Sequence, residues 1–379
     1  QEMLPRMAAK LAAEQAAGTA LIFTMDTHRR RFGLLHLLFL ALLLVGSTPL
    51  QGQEQLFRIM GYNVENLFDT EDDPTKDDDA FLPTGEQHWT KERYRMKLQH
   101  IAEVISAVGG DAFPDLIGLV EVENATVLQD LLQKTTLGAN TSYRYLVSSG
   151  EDRRGIDVAL LYDPRTFTLL SSEELPLTFP FDTEKKTRPI LRASGRLLSG
   201  DTLHVFVCHL PSRRGGAWAS ERYRSWGCRL LREATEKLLT EGGCHTHCLL
   251  LGDFNGDPEE APTARVLHSL PYRQGLEVER APSTQLYSLL HRATQQESRG
   301  SYCYQGVWSQ LDQIHLSASL LRRDSRLHYV EGSAETLRRP FYSVVPASGG
   351  DPVPFRTYAG SFYRGGYSDH FPTRLLLSY

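Results

Sequence analysis

The chain has 379 residues, of which 41% are hydrophobic and 23% are charged. This composition is ordinary for a globular protein, and the length permits one large domain or two modest ones. The formal net charge is -5, from 41 basic and 46 acidic residues. The total charge does not indicate a polyanion-binding protein, because neutralising a phosphate backbone requires a net or local basic excess.

Residues 25–53 have the pattern of a secretory signal peptide. A basic stretch after Met25 is followed by an apolar run over residues 32–45 and then by small and turn residues. The apolar run has about 14 residues, whereas a membrane span needs about 20. We therefore predict a cleaved signal peptide and a secreted or periplasmic protein. An uncleaved anchor and a buried helix are the alternatives.

The remaining chain is interpreted as one domain over residues 54–379. Residues 1–24 precede Met25, and we interpret them as an over-extended N-terminus. No internal repeat or low-complexity linker interrupts the domain. Short apolar runs predict ten strands, at residues 56–62, 115–122, 143–148, 156–163, 166–171, 190–198, 202–209, 247–252, 311–317 and 371–378.

Three helices are predicted between these strands, at residues 90–108, 125–134 and 218–240. The second follows Asn124, a favourable N-cap. The third has an apolar stripe, formed by Trp226, Leu230, Ala234 and Leu238. Continuous apolar runs such as residues 249–251 indicate strands that are covered on both faces. Several strands follow one another over residues 143–209, which favours two packed sheets with helices outside over a simple alternating β/α barrel.

The five cysteines all lie after the predicted signal peptide, at positions 208, 228, 244, 248 and 303. Export would permit one or two disulfides, and the odd number leaves at least one thiol unpaired. The segment from Cys244 to Cys248 also contains two histidines, which suggests zinc. However, Cys248 begins an apolar strand in which side chains alternate between faces. A structural or disulfide role is therefore preferred to a zinc site.

Polar or ionisable residues stand at the ends of six apolar runs. A single such residue can simply cap a strand, but six suggest that the strand ends converge on one pocket. The segments are Asn63 to Asn66, Glu121, His209, Asp253 to Asn255, Asp312, and Ser368 to His370.

These segments resemble the motifs of the endonuclease/exonuclease/phosphatase (DNase I-like) superfamily, in the family's order and over residues 58–372. The matching segments are residues 62–66, 118–122, 154–157, 209–213, 252–255, 311–314 and 368–372. The superfamily includes DNase I, abasic-site endonucleases, neutral sphingomyelinases and inositol-polyphosphate 5-phosphatases. The resemblance implies an α/β (α+β) fold: a four-layer sandwich of two mixed β-sheets packed face to face, with helices outside and the active site at one edge.

The resemblance also implies a metal site. Glu121 matches the family's principal metal carboxylate, and Asn63 and Glu65 match the pair that completes or orients the metal shell. Asp369 is expected to support the metal or the leaving group. Mg²⁺ suits such a site, because it is held by one or two carboxylates together with water and substrate phosphate. Mn²⁺ is an alternative, and the number of metal ions stays open.

Five further residues match the family's catalytic positions. Asp253 corresponds to the residue that orients and deprotonates the attacking water, and Asn255 would hold that water or a phosphate oxygen. His370 resembles the histidine that contacts the phosphate, with Asp312 as its orienting carboxylate. His209 matches a second histidine that protonates the leaving group or binds phosphate.

The basic residues Arg154 and Arg213, together with Ser212, are candidates for substrate binding. A solvated surface role is the alternative for the arginines. The hypothesis is a monomeric, secreted, Mg²⁺-dependent phosphoester hydrolase whose partner is its phosphoester substrate, with nucleic acid as the first choice and no protein partner indicated. The alternatives are a phospholipid (sphingomyelinase-like) phosphodiesterase, an inositol or sugar phosphatase, and an inert exported binding protein on the same fold.

Overall fold

The computed structural model describes residues 54–243, 245–291 and 299–379. The predicted signal peptide, the over-extended N-terminus and Cys244 lie outside the described residues. Within those three ranges, no helix has both the length and the apolar character that a membrane span requires.

The described chain forms four α-helices and twenty strands. The helices are α1 Lys91–Gly109, α2 Ala125–Gln133, α3 Thr136–Asn140 and α4 Ala217–Glu241. The strands are β1 Leu56–Leu67, β2 Leu116–Val122, β3 Arg144–Val147, β4 Asp157–Tyr162, β5 Phe167–Leu175, β6 Ile190–Leu197, β7 Thr202–His209, β8 Thr246–Asp253, β9 Ser269–Pro271, β10 Leu286–Ser288, β11 Tyr302–Tyr304, β12 Val307–Ser309, β13 Asp312–Ser317, β14 His328–Tyr329, β15 Glu335–Thr336, β16 Ser343–Val344, β17 Val353–Pro354, β18 Tyr358–Ala359, β19 Phe362–Tyr363 and β20 Thr373–Ser378.

Two seven-stranded mixed sheets contain most of these strands. Sheet A has the order β14-β20-β1-β2-β4-β3, with β15 paired to β20, and sheet B has the order β5-β6-β7-β8-β13-β10-β9. In both sheets, parallel and antiparallel pairs occur together, for example β1 with β2 and β1 with β20. The predicted pair of mixed sheets is therefore confirmed.

Alternating side chains place the two sheets face to face between helices. Ile59 of sheet A and Val205 of sheet B share one buried cluster between the sheets. Their neighbours point outwards: Met60 packs in a cluster with α1 and α2, and Phe206 packs in a cluster with α4. Since successive strand residues face opposite sides, both sheets are apolar on both faces. The order of layers is helix, sheet, sheet, helix, as predicted.

The predicted helices are present with small shifts at their ends, and Asn124 caps α2 by accepting a hydrogen bond from Val127 N at 3.1 Å. The buried face of α4, however, is different from the prediction. The residues of the predicted stripe are only partly buried, whereas Arg224 and Thr235 are fully buried. Thr235 Oγ1 donates to Leu231 O at 2.9 Å, and Arg224 Nη2 donates to Ala217 O at 2.9 Å. Because backbone carbonyls of the helix accept these two hydrogen bonds, polar side chains can lie on its buried face, and hydrophobic periodicity alone misplaced that face.

Four cysteines, Cys208, Cys228, Cys248 and Cys303, are free thiols. Cys208, Cys228 and Cys248 belong to the apolar cluster outside sheet B, and burial raises the pKa of all three. This agrees with the structural role preferred for Cys248. His245 instead points to Asp201, with 2.9 Å between His245 Nδ1 and Asp201 Oδ1.

His315 in β13 gives a testable pH effect on stability. It is fully buried, its Nδ1 lies 2.8 Å from Ser269 Oγ, and burial followed by the nearby His291 lowers its pKa from 6.5 to about 3. Between these values the unfolded chain binds a proton that the folded chain excludes, so stability falls as the pH falls below 6.5. His315 alone should lower the free energy of unfolding by about 2 kcal/mol between pH 7 and pH 5.

We expect His315→Asn to remove that part of the pH dependence, as measured by urea unfolding at both pH values. The control is His268→Asn, at an exposed position whose φ of 58° Asn tolerates. This control variant should show the same difference in unfolding free energy between pH 7 and pH 5 as the wild type. An unchanged difference in His315→Asn would show that His315 does not cause the effect.

Candidate active site

Three predicted residues lie in one row across sheet B. His209 is the last residue of β7 and Asp253 the last of β8, and the parallel register pairs them directly. Asp312, the first residue of β13, pairs with Asp253 from the other side. Gly252 lets β7 and β8 approach closely here, because a Cβ at this position would lie 2.0 Å from Cys208 O. The register thus brings one imidazole and two carboxylates together.

Sheet A supplies Asn63 and Glu121 through irregularities in β1 and β2. The first strand was predicted to end at residue 62 but continues to Leu67, whereas β2 ends at Val122 as predicted. The pairing register shifts beside Asn63 and beside Glu121. Glu65, Asn66 and Glu121 have φ values of 53°, 53° and 66°. Such left-handed conformations are strained for non-glycine residues and often occur at functional sites. The bulges direct these side chains towards the edge of the sandwich.

Side chains from the two sheets contact one another at this edge. Asn63 Nδ2 donates to Asp253 Oδ2 at 3.1 Å. His209 Nε2 lies 3.6 Å from Asp253 Oδ2 and 3.8 Å from Glu121 Oε1. Glu121 Oε2 accepts a hydrogen bond from Asn66 N at 3.0 Å. We call the set of Asn63, Glu121, His209, Asp253, Asp312 and His370 the catalytic row.

His370 joins the row through Asp312. The two atoms His370 Nδ1 and Asp312 Oδ2 are 2.6 Å apart, and His370 Nε2 lies 4.0 Å from Asp253 Oδ2. Burial alone would lower the pKa of His370, but Asp312, Asp369 and Asp253 raise it well above its usual value. His370 is therefore an imidazolium, which is suited to bind a phosphate oxygen or to donate a proton.

Asp253 is the buried carboxylate at the centre of the row. Burial raises its pKa to about 6, although the cation His370 acts in the opposite direction. Its Oδ1 accepts a hydrogen bond from Asn255 N at 2.8 Å, and Asn255 in turn donates from Nδ2 to Leu210 O at 2.9 Å. A carboxylate whose pKa lies near neutrality is well matched to accept a proton from water.

His209 is held as a neutral imidazole. Burial, then the charges of Arg188, Arg154 and His370, lower its pKa well below the usual value. Among the described residues, His209 Nδ1 has no hydrogen-bond partner. Because Nδ1 is buried, the uncharged ring faces the site through Nε2, which lies beside Asp253 and Glu121.

Glu65 and Asp369 lie beside the row rather than in it. Both oxygens of Glu65 accept hydrogen bonds from backbone, Oε2 from Thr357 N at 2.6 Å and Oε1 from Tyr358 N at 3.2 Å. Burial followed by the charge of Asp369 raises the pKa of Glu65 to about 7. Asp369 is partly exposed, and its Oδ1 lies 3.9 Å from His370 Nε2. Glu65 thus anchors the loop over residues 357–358, and Asp369 faces the row from its open side.

The three candidate substrate-binding residues occupy different positions. Arg213 is committed to protein contacts, since Nε donates to Asn255 O at 3.0 Å and Nη2 to Glu260 Oε1 at 2.7 Å. Arg154 is one-third exposed and lies 3.6 Å from Asp152 Oδ1. Ser212 and Arg154 line the same cleft of about 280 Å³ beside the row.

Sequence reasoning missed several residues that position the row. Arg188 is buried and donates from Nε to His209 O at 2.8 Å and from Nη1 to Asp152 Oδ2 at 2.8 Å. Ser301 Oγ donates to Asp312 Oδ2 at 2.5 Å, and the ring of Tyr302 lies 4.8 Å from that of His370. Lys97 is buried beside Glu65, with Nζ donating to Thr357 Oγ1 at 2.6 Å. No local sequence pattern identifies these residues as part of the site. Arg188 is marked only by its position directly before Pro189 and a predicted strand.

The donor set of the row is compatible with Mg²⁺. Glu121 Oε1 and Asp253 Oδ2 both lie within 4 Å of His209 Nε2, and hard cations prefer such oxygen ligands. Asn63 Nδ2 donates to Asp253 and Asn63 Oδ1 accepts from Glu65 N at 2.9 Å, so the second lone pair of Oδ1 is what Asn63 can offer to a metal ion. In the described ranges, no group of three or more His, Cys, Asp or Glu side chains is arranged to hold a metal ion. Mg²⁺ does not require such a group, since it keeps several waters and uses one or two carboxylates.

Comparisons with known proteins agree with this architecture. A sequence model described as the Endonuclease/Exonuclease/phosphatase family matches residues 58–378. A search of curated proteins gave no match. Among solved structures, D. rerio TDP2 humanised by 14 mutations is 17% identical over 85% of this chain and 98% of that one, with a TM-score of 0.50. The Bacteroides thetaiotaomicron mannosyl-6-phosphatase Bt3783 is 16% identical over 85% and 100%, with a TM-score of 0.50.

At these identities the structural likeness shows the fold, and the sequence model shows the family. Members of this family generally use a divalent metal ion. The chain therefore belongs to the endonuclease/exonuclease/phosphatase family, and it is a hydrolase that acts on phosphoester bonds.

Proposed function

We propose that this protein is a secreted or periplasmic, Mg²⁺-dependent phosphodiesterase that cleaves nucleic acid by direct attack of water on phosphorus. The observation that carries the proposal is the position of Asp253 within 4.0 Å of both His209 and His370. A carboxylate beside one neutral and one charged imidazole can accept a proton while the charged ring faces an anionic substrate.

Each member of the row has a distinct role in the proposed reaction. Asp253 orients the attacking water and takes its proton, and Asn63 and Asn255 hold the Asp253 carboxylate in place. His370, oriented by Asp312, binds a phosphate oxygen as an imidazolium. His209 offers its neutral ring to the phosphate or to the leaving oxygen. Water is the nucleophile, so no covalent intermediate forms on the protein.

Glu121 and Asn63 are the residues that would hold the metal ion. Mg²⁺ bound there would supply positive charge to the oxygens of the phosphate, with Mn²⁺ as the alternative ion. Glu121 is suited to this role because Asn66 N fixes one carboxylate oxygen and leaves the other towards His209. Asp369 can support the metal or the leaving group from the open side.

The charge of the row does not distinguish a diester from a monoester, because its cation, His370, stands among the carboxyl groups of Glu121, Asp253 and Asp312. The fold does not select a substrate, since proteins that share it include D. rerio TDP2 complexed with a single-strand DNA product and a mannosyl-6-phosphatase. Nucleic acid is favoured because a cleft rich in cationic side chains adjoins the row.

The metal mechanism is tested by hydrolysis of bis-p-nitrophenyl phosphate with and without EDTA. We expect the rate to fall to the uncatalysed background after chelation and to return on addition of Mg²⁺ or Mn²⁺. Unchanged hydrolysis in EDTA would refute the metal mechanism. Absence of activity on any phosphoester would instead favour an inert binding protein.

The substrate and the location need separate experiments. A panel of plasmid DNA, RNA, sphingomyelin and inositol phosphates should show preferential cleavage of nucleic acid, and preference for a lipid or a sugar phosphate would overturn that choice. Export is tested by N-terminal sequencing of the protein released from its native cells. We expect the mature chain to begin near residue 53, and a retained residue 25 would contradict cleavage.

A further inference from the structure

A cleft with strong positive charge lies beside the catalytic row, and we call it the basic cleft. It has a volume of about 280 Å³ and is lined by six basic side chains and two acidic ones. This local excess contrasts with the net charge of -5 of the whole chain. The basic residues are Arg153, Arg154, Lys185, Lys186, Arg188 and Arg214.

The basic residues differ in how far protein carboxylates neutralise them. Arg188 is buried and paired with Asp152 at 2.8 Å, and Lys186 lies 2.9 Å from Glu151. Arg153, Lys185 and Arg214 are exposed, and none of them forms an ion pair with another described residue. These three cations are available to an anion that enters the cleft.

The basic cleft continues directly from the catalytic row. Its lining includes Pro211 and Ser212, which follow His209 in the chain by two and three residues. Arg188 forms part of the wall and donates hydrogen bonds to both His209 O and Leu210 O, at 2.8 and 3.2 Å. A chain-like anion with one phosphate in the row can therefore place its next phosphates in the cleft.

Two exposed aromatic rings and one partly buried ring continue the same surface, and we call this region the aromatic shelf. It borders a depression of about 770 Å³ and consists of Phe181, Trp218 and Trp226 with Arg222 and Arg229. Trp218 is 90% exposed and Phe181 is 42% exposed. Arg222 lies over the ring of Phe181, with 5.0 Å between its guanidinium carbon and the ring centre.

Tyr223 joins the two regions. It lines the basic cleft, its ring centre lies 5.4 Å from that of Phe181, and Lys185 Nζ lies 5.6 Å from its ring centre. The Tyr223 hydroxyl donates a hydrogen bond to Asp182 Oδ2 at 2.5 Å, so this nearby carboxylate already has a partner. Cations that can track a phosphate backbone thus lead to flat rings on which bases can stack.

We infer that the basic cleft and the aromatic shelf together bind a single-stranded nucleic acid that extends from the catalytic row. This inference rests on the proposed function and names its substrate class. Cations without a carboxylate partner can contact the phosphates of the strand. Exposed rings can stack with the bases of a single strand, whereas the bases of a duplex are stacked on one another. An anionic membrane also attracts cations and tryptophan, but the concave cleft fits a polymer better than a flat lipid surface.

The test uses the full-length mature protein and a fluorescently labelled oligothymidine of 12 nucleotides. Binding is measured by anisotropy in EDTA over a series of salt concentrations, and hydrolysis of bis-p-nitrophenyl phosphate is measured with Mg²⁺. The test variant is Lys185→Ala/Arg214→Ala. The matched control is Arg196→Ala/Arg323→Ala, which removes two exposed cations. Arg196 is at the end of β6 that pairs with the start of β7, and Arg323 lies in the loop after β13, which begins at the row and ends at Ser317.

We expect the test variant to weaken oligonucleotide binding about tenfold, and to reduce the slope of log K against log salt by about 1.4, for two phosphate contacts. The kcat and KM for bis-p-nitrophenyl phosphate should stay unchanged, because that substrate fills the row alone. Trp218→Ala should weaken oligonucleotide binding about fivefold or more without changing the salt slope. The control should behave as the wild type does.

Two results would overturn the inference. One is wild-type affinity and salt slope in all the variants. The other is loss of binding to phosphatidylserine vesicles in the test variant with unchanged oligonucleotide binding, which would assign the surface to a membrane. Binding that depends on these residues without any cleavage of nucleic acid would instead refute the proposed function and leave the inferred surface standing.

Discussion

Asp253→Asn is expected to lower kcat by about 10³-fold while leaving the fold at least as stable at pH 7 in EDTA. The amide cannot take a proton from water, and a general base is worth about 10²–10⁴ in rate. Burial raises the pKa of Asp253 from 3.8 in the unfolded chain to about 6 in the folded protein. The folded protein therefore binds the proton more tightly, and the stability that this proton contributes is fully present below pH 3.8 and is lost as the pH rises through 6. At pH 7 the buried charge therefore opposes folding, and Asn removes it.

The gain in stability is limited by hydrogen bonds. The carboxylate accepts from both Asn63 Nδ2 and Asn255 N, whereas the amide has one acceptor oxygen. A lost hydrogen bond is worth about 1 kcal/mol, so we expect an unfolding free energy within about 1 kcal/mol of the wild type or above it. Urea unfolding and steady-state hydrolysis of bis-p-nitrophenyl phosphate measure the two effects.

The matched control is Asp157→Asn. Asp157 is also buried, and its pKa is also raised by burial, but its carboxylate accepts from Ser148 Oγ at 2.6 Å and Gly150 N at 2.9 Å and not from a described side chain of the catalytic row. We expect kcat to stay within a few-fold of the wild type in this variant. More than a tenth of the wild-type kcat in Asp253→Asn would show that Asp253 is not the base.

The sequence indicated which residues of the row stand at the ends of buried strands. Apolar runs that end in His209 and Asp253, and one that begins near Asp312, define where buried strands reach solvent. Because neighbouring strands share a register, these strand ends meet at one edge. The sequence analysis predicted that strand ends converge on one pocket, and the family resemblance implied a site at one edge of the sandwich, whereas the order of the strands was seen only in the structure.

Local patterns could not predict the contacts of Glu65 and Lys97. Lys97 stands in a helix rich in charged residues and would be expected in solvent, yet it is buried and binds Thr357 and Tyr367 O. Burial lowers the pKa of Lys97 to about 8, although Glu65 acts in the opposite direction. These partners are more than 250 residues apart in the chain, so only the folded structure shows that they meet. The bulge that turns Glu65 inward is likewise set by the neighbouring strand.

Asp312→Asn is expected to lower kcat by about 10²–10⁴-fold by changing the charge of His370. Asp312 Oδ2 accepts from His370 Nδ1 at 2.6 Å, which fixes the ring and favours the imidazolium. Asn keeps the shape of the side chain but removes the charge. Since burial alone lowers the pKa of His370, the ring should lose its proton at a lower pH in the variant. The activity should therefore decline at a lower pH than in the wild type.

The pH profile of kcat separates this positioning role from simple damage to the fold. Asp201→Asn is the matched control, because Asp201 also pairs with a histidine, His245, at 2.9 Å, at the opposite end of β7 from His209. It should keep the wild-type kcat and pH profile. A kcat within threefold of the wild type in Asp312→Asn, or an unshifted alkaline limb, would mean that His370 does not act as a charged group. The anionic substrate would then have to be held by the metal and by the cations of the basic cleft alone.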